Sequence, residues 1–373
     1  MPDERVPPLL TELVEFATES HTPNRALIDS VADRLGAYGA RVRIVGGPEG
    51  RANLLASFGP RSVGGLLLSG HTDVVAAGDG WETPPYSVTA ADGTLYGRGT
   101  ADMKGFIACV LAVVQELDVG SLTAPLHIAL SYDEEVGCVG VRGLLDVVGA
   151  DGEVRPALVV IGEPTMMQPS HAHAGKVAYR LALTGKAGHS SLSASMPSTI
   201  SAAARIVTVL EAVAARHRNE VTVNVGTING GTALNVIAES CETTFELRHP
   251  TSIDPDGVLA PVRDAIEAER ATLAAVGGGV EVTEITRYPA LSTDTHHPLV
   301  RLVERLADRG SSIPIGYGTE GGLFAATLDA PVVICGPGDI AVAHRPGEHV
   351  SLDQLRACTQ FLIQLIAAVC TSG

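Results

Sequence analysis

Four short apolar runs in this chain each lead to a group able to carry charge or ligate a metal, and any fold must account for all four together. Leu66-Leu67-Leu68 leads into Gly70-His71-Thr72-Asp73, and the run from Leu126 to Tyr132 ends on Asp133-Glu134-Glu135. Ala157 to Gly162 runs into Glu163, and Ala330 to Gly338 leads through a loop to His344. Such runs predict buried strands, and the helical spacing between them, Met103 to Leu117 and Val139 to Val148, predicts helices on both faces of a sheet. Earlier strands at Arg41 to Val45, Asn53 to Phe58 and Gly65 to Gly70 are separated by turns only, so the sheet is expected to be mixed. In an open α/β sheet, ligands bind beyond the carboxyl ends of the strands, so the four ends are candidates to share one crevice.

The rest of the chain divides around this layer. Two amphipathic helices are expected between Pro7 and Tyr38, split at Pro23-Asn24. At Gly175 the texture changes. A strand at Lys176 to Thr184, a helix at Thr199 to Ala214, strands at Glu220 to Ile228 and Leu234 to Leu247, a helix at Pro255 to Ala275 and a strand at Val280 to Thr286 follow. That βαββαβ order is ferredoxin-like, and it reads as a small α+β domain, 175–291, inserted into an α/β domain made of 1–174 and 292–373. The α/β pattern resumes with a helix at Pro298 to Asp308, a strand at Ala330 to Cys335 and a helix at Ser351 to Val369.

With 42 acidic against 26 basic residues and a net charge of −16, nothing resembles a basic track for a phosphate backbone, which argues against a nucleic-acid partner. The six cysteines lie in apolar surroundings without a Cys-x-x-Cys pair and read as core thiols of a reducing compartment. The start, MPDERVPPLL, lacks the features of a signal peptide, and no apolar run is long enough to span a bilayer. No membrane partner and a cytoplasmic location are therefore the expectations.

His71 and Asp73, two apart at a strand end, lean to one face, as a ligating imidazole and its orienting carboxylate commonly do. Asp102 follows the glycine-flanked turn Gly97-Arg-Gly-Thr-Ala, where a carboxylate is either a helix N-cap or a ligand. Two imidazoles and three carboxylates without a thiolate suit divalent zinc, cobalt or manganese. A carboxylate shared by two such ions holds them roughly 3.5–4 Å apart, the spacing of hydrolytic two-metal sites.

GHTDVV, YGRGTADMKG, DEEVG, GEP, GKAGHSS and GPG…AHRPGEHV, in this order and across nearly the whole chain, resemble the di-zinc amidohydrolases that include aminoacylase, carboxypeptidase G, succinyl-diaminopimelate desuccinylase and acetylornithine deacetylase. The resemblance implies one metal held by His71, Asp102 and Glu163, and another by Asp102, Glu135 and His344, with Asp102 bridging. It also implies Asp73 as the residue orienting His71, Glu134 as general base, and a cis peptide between Asp102 and Met103. Tyr317-Gly-Thr-Glu320, Asn235-Val-Ile and Phe245-Glu-Leu-Arg248 are similar to the acetylornithine deacetylase branch, although Ala238 stands where many relatives have Pro.

By that resemblance the substrate is an N-acyl amino acid, with N2-acetylornithine, released as ornithine and acetate, the leading choice. Acetylcitrulline, acetyl- or formylmethionine, succinyl-diaminopimelate and peptide C-termini are the alternatives. The protein would be a homodimer joined through the inserted lid domain, with His189 steadying the oxyanion in the partner's site. Arg248 and Asn235 would grip the substrate carboxylate, and Glu320, at the mouth of the site, would meet the ornithine ammonium. A rival is Gly316-Tyr-Gly318-Thr-Glu-Gly321, which matches a dinucleotide fingerprint, but Pro314 interrupts its strand and too little chain follows.

Overall fold

The computed structural model describes residues 2–151 and 154–371, which form two compact units: 1–173 with 291–373, and 174–290. The large unit is built on a nine-stranded mixed sheet. From one edge, its strands are Arg41–Gly46, Ala52–Phe58, Leu126–Ser131, Leu66–His71, Leu158–Pro164, Val332–Gly336, Ser170–His173 and Leu291–Ser292, with Ile313–Pro314 pairing beside Ser170–His173. The four central strands run parallel, and the outer strands Ala52–Phe58 and Ser170–His173 join them antiparallel. Every residue of these four central strands is buried, which is why they read as continuous apolar runs rather than alternating ones.

One face of this sheet carries the main core. The helices Pro2–Glu15, Arg25–Ala37, Lys104–Val114, Pro298–Ala307 and Leu352–Cys370 pack there. Lys104–Val114 is buried at every position, so it lies between other helices and the sheet instead of showing a polar side. The helices Val141–Asp151 and Gly321–Thr327 contact sheet strands and one another. All six cysteines are buried free thiols. Among the described residues no helix is long and apolar enough to cross a membrane.

The small unit has an antiparallel sheet in the order Thr222–Gly230, Ser240–His249, Gly175–Thr184, Gly279–Tyr288, the ferredoxin-like arrangement expected. Thr199–Arg216 and Ala260–Ala274 supply its helices, and their apolar faces meet the sheet around Val177, Leu181, Phe245 and Leu247. Two boundaries differ from expectation. The stretch from Leu234 to Leu247 is broken into Val236–Ile237 and Ser240–His249, and the helix predicted from Pro255 divides into Pro255–Val258 and Ala260–Ala274.

Candidate metal centre and active site

Because the four central strands are parallel, their carboxyl ends lie on one edge of the sheet, and the groups following them meet there. His71 is the last residue of its strand and 1% exposed. Its Nε2 lies 3.1 Å from Asp102 Oδ1 and 3.9 Å from Glu163 Oε1. On the other oxygen of Asp102, His344 Nε2 stands at 3.3 Å, and the same nitrogen is 2.9 Å from Glu135 Oε2. Two trios of donor atoms result, His71-Asp102-Glu163 and Asp102-Glu135-His344, each lying within 4.8 Å of one another and sharing Asp102.

Asp102 is not a helix cap. The helix starts at Lys104 with Met103 in the cap position and no side-chain cap, and the Asp102-Met103 peptide is cis. Gly99 before it sits at φ +83°, where a Cβ would come within 2.6 Å of Val74 Cγ1, so this turn needs glycine.

Behind the trios is a set of contacts that hold the backbone. Asp73 accepts from Ser20 Oγ at 2.8 Å and from the main-chain N–H groups of Glu134 and Glu135 at 3.1 and 3.3 Å. His71 Nδ1 meets the main-chain oxygen of Asp73 at 2.8 Å, whereas the Asp73 carboxylate is 3.6 Å away. The expected orienting contact therefore comes from the carbonyl, and the carboxylate sets the 134–135 turn. Glu134 has a carboxylate oxygen 3.3 Å from Cys138 Sγ.

Sequence reasoning missed Glu348. Its Oε1 accepts from the N–H groups of Ala101 and Asp102, both at 3.0 Å, and its Oε2 meets Arg98 at 2.6 Å. Arg98 in turn lies 5.2 Å from the centre of the Trp81 ring. Ser20, Arg98 and Glu348 have no metal-type spacing in sequence and act through partners remote along the chain, so periodicity could not find them.

The electrostatics follow from crowding acids in a dry place. Burial, then repulsion from Asp102 and Glu134, drives the Glu163 carboxyl well above its ordinary range. Burial also raises Glu134, with Glu135, Glu320 and Asp73 adding to it and His71 opposing. Asp102 goes the other way: against its burial, hydrogen bonds with His344 and His71 hold it low. His344 is pushed up to about 10 by Asp102 and Glu135. The donor set fits divalent cations: oxygen and imidazole nitrogen only, three carboxylates in one buried place, and a shared oxygen pair between two trios.

Three expectations need correcting. Glu320 is 1% exposed and does not stand at an open mouth, nor does its side chain cap the helix that follows. Its Oε1 is buried without a directed hydrogen bond, as are the hydroxyls of Ser69 and Ser131. Burial raises this carboxyl to about 7 against the influence of those hydroxyls. In the small unit, Asn235 and Arg248 do not come together within one chain. Asn235 accepts from Ser190 N–H beside the His189–Val236 pair, while Arg248 sits opposite Lys176, at the far end of a strand that begins at Ser240. At about 3.4 Å per residue those ends lie roughly 27 Å apart. Arg248 Nε is engaged by Glu246 at 2.9 Å, and His189 is exposed with Nδ1 2.9 Å from Ser191 Oγ. The dinucleotide reading also lacks its frame, since only the two-residue strand Ile313–Pro314 precedes the glycines.

Residues 67–368 match the profile of Peptidase family M20/M25/M40. The acetylornithine deacetylase of Pasteurella multocida (strain Pm70) is 33% identical over 93% of this chain and 92% of its own length. That of Shigella sonnei (strain Ss046) is 34% identical over 93% and 91%. Among solved structures, a Staphylococcus aureus tripeptidase aligns with a TM-score of 0.77 at 21% identity, over 98% of both chains. A dinuclear metal-binding peptidase of Bacillus subtilis aligns at 0.69 and 15%, again over 98% of both. Identities so low speak for the fold alone, but the profile covers most of the sequence and the deacetylases align nearly end to end. On those grounds the chain belongs to peptidase family M20/M25/M40.

Proposed function

We propose that this protein hydrolyses the amide bond of an N-acyl amino acid with two divalent cations bound at the centre described above. The observation that carries the reading is the pair of donor trios joined through Asp102, with the Glu134 carboxylate in the turn next to Glu135. His71, Asp102 and Glu163 would hold one ion, and Asp102, Glu135 and His344 the other. Zinc, cobalt and manganese all suit these donors. When bound, the ions supply Lewis acidity for the scissile carbonyl and make an attacking water easier to deprotonate.

The chain's own residues do the rest. Glu134 takes the proton of the attacking water and delivers it to the departing amine, so one carboxylate serves as base and then as acid. Asp73 fixes that carboxylate indirectly, by accepting the N–H groups of Glu134 and Glu135 from one side-chain position. In the small unit, Arg248 is the candidate for the substrate carboxylate, and His189 with Asn235 for the developing oxyanion. Arg248 stands apart from the other two, which fits a site completed by a second copy of the chain in a homodimer.

Similarity to acetylornithine deacetylases supports N2-acetylornithine as substrate, giving ornithine and acetate. The buried Glu320 would then act on the site from behind it and not through direct contact with the ornithine ammonium. The test is amine release across N-acetyl, N-formyl and N-succinyl amino acids, with and without added zinc, cobalt or manganese. Release from acetylornithine above all others supports the assignment, and preference for acetylcitrulline or acetylmethionine moves it within the class. No release from any member by metal-loaded protein sinks the reading.

A further inference from the structure

Beyond the Leu126–Ser131 strand the chain makes a tight turn in which one side chain reaches back onto the Glu134 carboxylate. The N–H groups of Gly137 and Cys138 both donate to the Glu134 carbonyl, at 2.9 and 2.8 Å, and close the turn. Cys138 Sγ then lies 3.3 Å from Glu134 Oε1. Cys138 takes φ +55°, a left-handed conformation that glycine adopts at lower cost, so the backbone does not account for a cysteine here. Nor does core filling set it with its fellows: the other five cysteines sit in the main core of the large unit or the core of the small one, and Cys138 is in neither.

The direction of the contact follows from where the protons are. Cys138 is 1% exposed, and burial, followed by the charges of Glu134 and Glu320, pushes its thiol well above the ordinary range. The thiol therefore keeps its hydrogen at neutral pH. Against the ionised carboxylate that proton abstraction requires, Sγ–H donates and Oε1 accepts. No other hydrogen bond to that carboxylate is found among the described residues, because Asp73 holds only the main-chain N–H groups at 134 and 135.

We propose that Cys138 is a positioning residue for the general base, its thiol tying down one oxygen of Glu134 and presenting the other to the attacking water. The role rests on the reading of Glu134 given above. The free oxygen takes the proton from water and passes it to the departing amine, while the tied oxygen remains an acceptor throughout. A thiol suits this place because it is a weak donor: it orients the carboxylate while withdrawing little of the proton affinity that a base needs.

The experiment compares Cys138→Ala, which removes the donor, with Cys138→Ser, which keeps one. Both retain a Cβ in the same left-handed backbone, so strain is alike in the two. In hydrolysis of an N-acyl amino acid, with rates expressed per metal-loaded site, kcat of Cys138→Ala should fall about threefold to tenfold while KM stays within about twofold. Cys138→Ser should recover at least about half of the parent rate. A second readout needs no turnover: the S–H stretching band of Cys138, isolated as the infrared difference between the parent and Cys138→Ser. It should move to higher frequency in Glu134→Gln, where a neutral amide replaces the charged acceptor. A band that Glu134→Gln leaves in place overturns the proposal, as does a Cys138→Ala variant as fast as the parent or a Cys138→Ser variant as slow as Cys138→Ala. A parent that hydrolyses no N-acyl amino acid is a failure of the functional reading and takes this role with it, whereas an active parent matched by Cys138→Ala is a failure of Cys138 alone.

Discussion

Glu348 has two acceptor ends, and its surroundings use both. Replacing it with glutamine keeps the size but leaves one acceptor oxygen where two are required. If the amide oxygen faces Ala101 and Asp102, its NH₂ is thrust at Arg98; if it faces Arg98, the NH₂ meets two N–H donors. Either way a buried guanidinium, 2% exposed at its side chain, loses its only close carboxylate among the contacts described for it. Breaking a buried pair from one side costs about 3–5 kcal/mol, because the remaining charge stays uncompensated. At about 2–4 °C per kcal/mol for a unit of this size, Glu348→Gln should lower Tm by roughly 10 °C. The assay is thermal unfolding by circular dichroism, with metal titration as a second readout, since the Asp102 main chain loses its anchor. Adding Arg98→Met should restore part of the loss, because the amide can then turn its oxygen to the two N–H groups. A single variant as stable as the parent, or a double variant no better than the single, would refute the reasoning.

Asp102→Ala should abolish binding of both metals, measured as metal content after dialysis; retention of one full equivalent would mean that the carboxylate is not shared. Glu134→Gln should keep both metals while kcat falls by about 10²–10⁴-fold, the usual share of a general base, and unchanged turnover would remove it from the mechanism. His127 gives a pH signature outside the active site. Burial, aided by the charge of Arg41, holds its folded pKa at about 4, below the ordinary 6.5, so the unfolded chain binds the proton first as pH falls. Stability from this residue is thus full above pH 6.5 and is lost between 6.5 and 4, by about 3 kcal/mol at most. His127→Gln should flatten that part of the denaturation profile relative to the parent, and superimposable slopes would contradict it.

The central strands and the groups following them were legible because burial on both faces forces continuous apolar sequence, and parallel strands deliver their ends to one edge. The ferredoxin-like unit was legible for a related reason: its half-exposed strands alternate, and the change of texture at Gly175 marks its start. What stayed hidden depends on closure of the chain in space. Arg98 and Glu348 meet across 250 residues, and no local pattern announces a carboxylate that binds backbone. The division of labour at Asp73, carbonyl to His71 and carboxylate to the 134–135 turn, is likewise a matter of three-dimensional aim. The shared grip expected of Asn235 and Arg248 overlooked strand length, which is enough by itself to keep the two ends apart. Glu320 was misplaced because a glycine-rich turn reads as surface, whereas Gly321 and Gly322 here open a helix whose first turn is buried.

Leu291 pairs directly with His173, antiparallel, at the border of the large unit's sheet. The chain therefore leaves the large unit and returns to it at one rung of that ladder, and the whole of 174–290 is spliced into what is topologically a hairpin. A hairpin loop can lengthen at small thermodynamic expense, since closure entropy grows only with the logarithm of its length. The two rungs secure the large unit's connectivity whatever is spliced between them, so the small unit can be exchanged, extended or reshaped without disturbing the strand register that brings the two donor trios together. Sequence change within 174–290 is thereby uncoupled from the strands that carry the two donor trios.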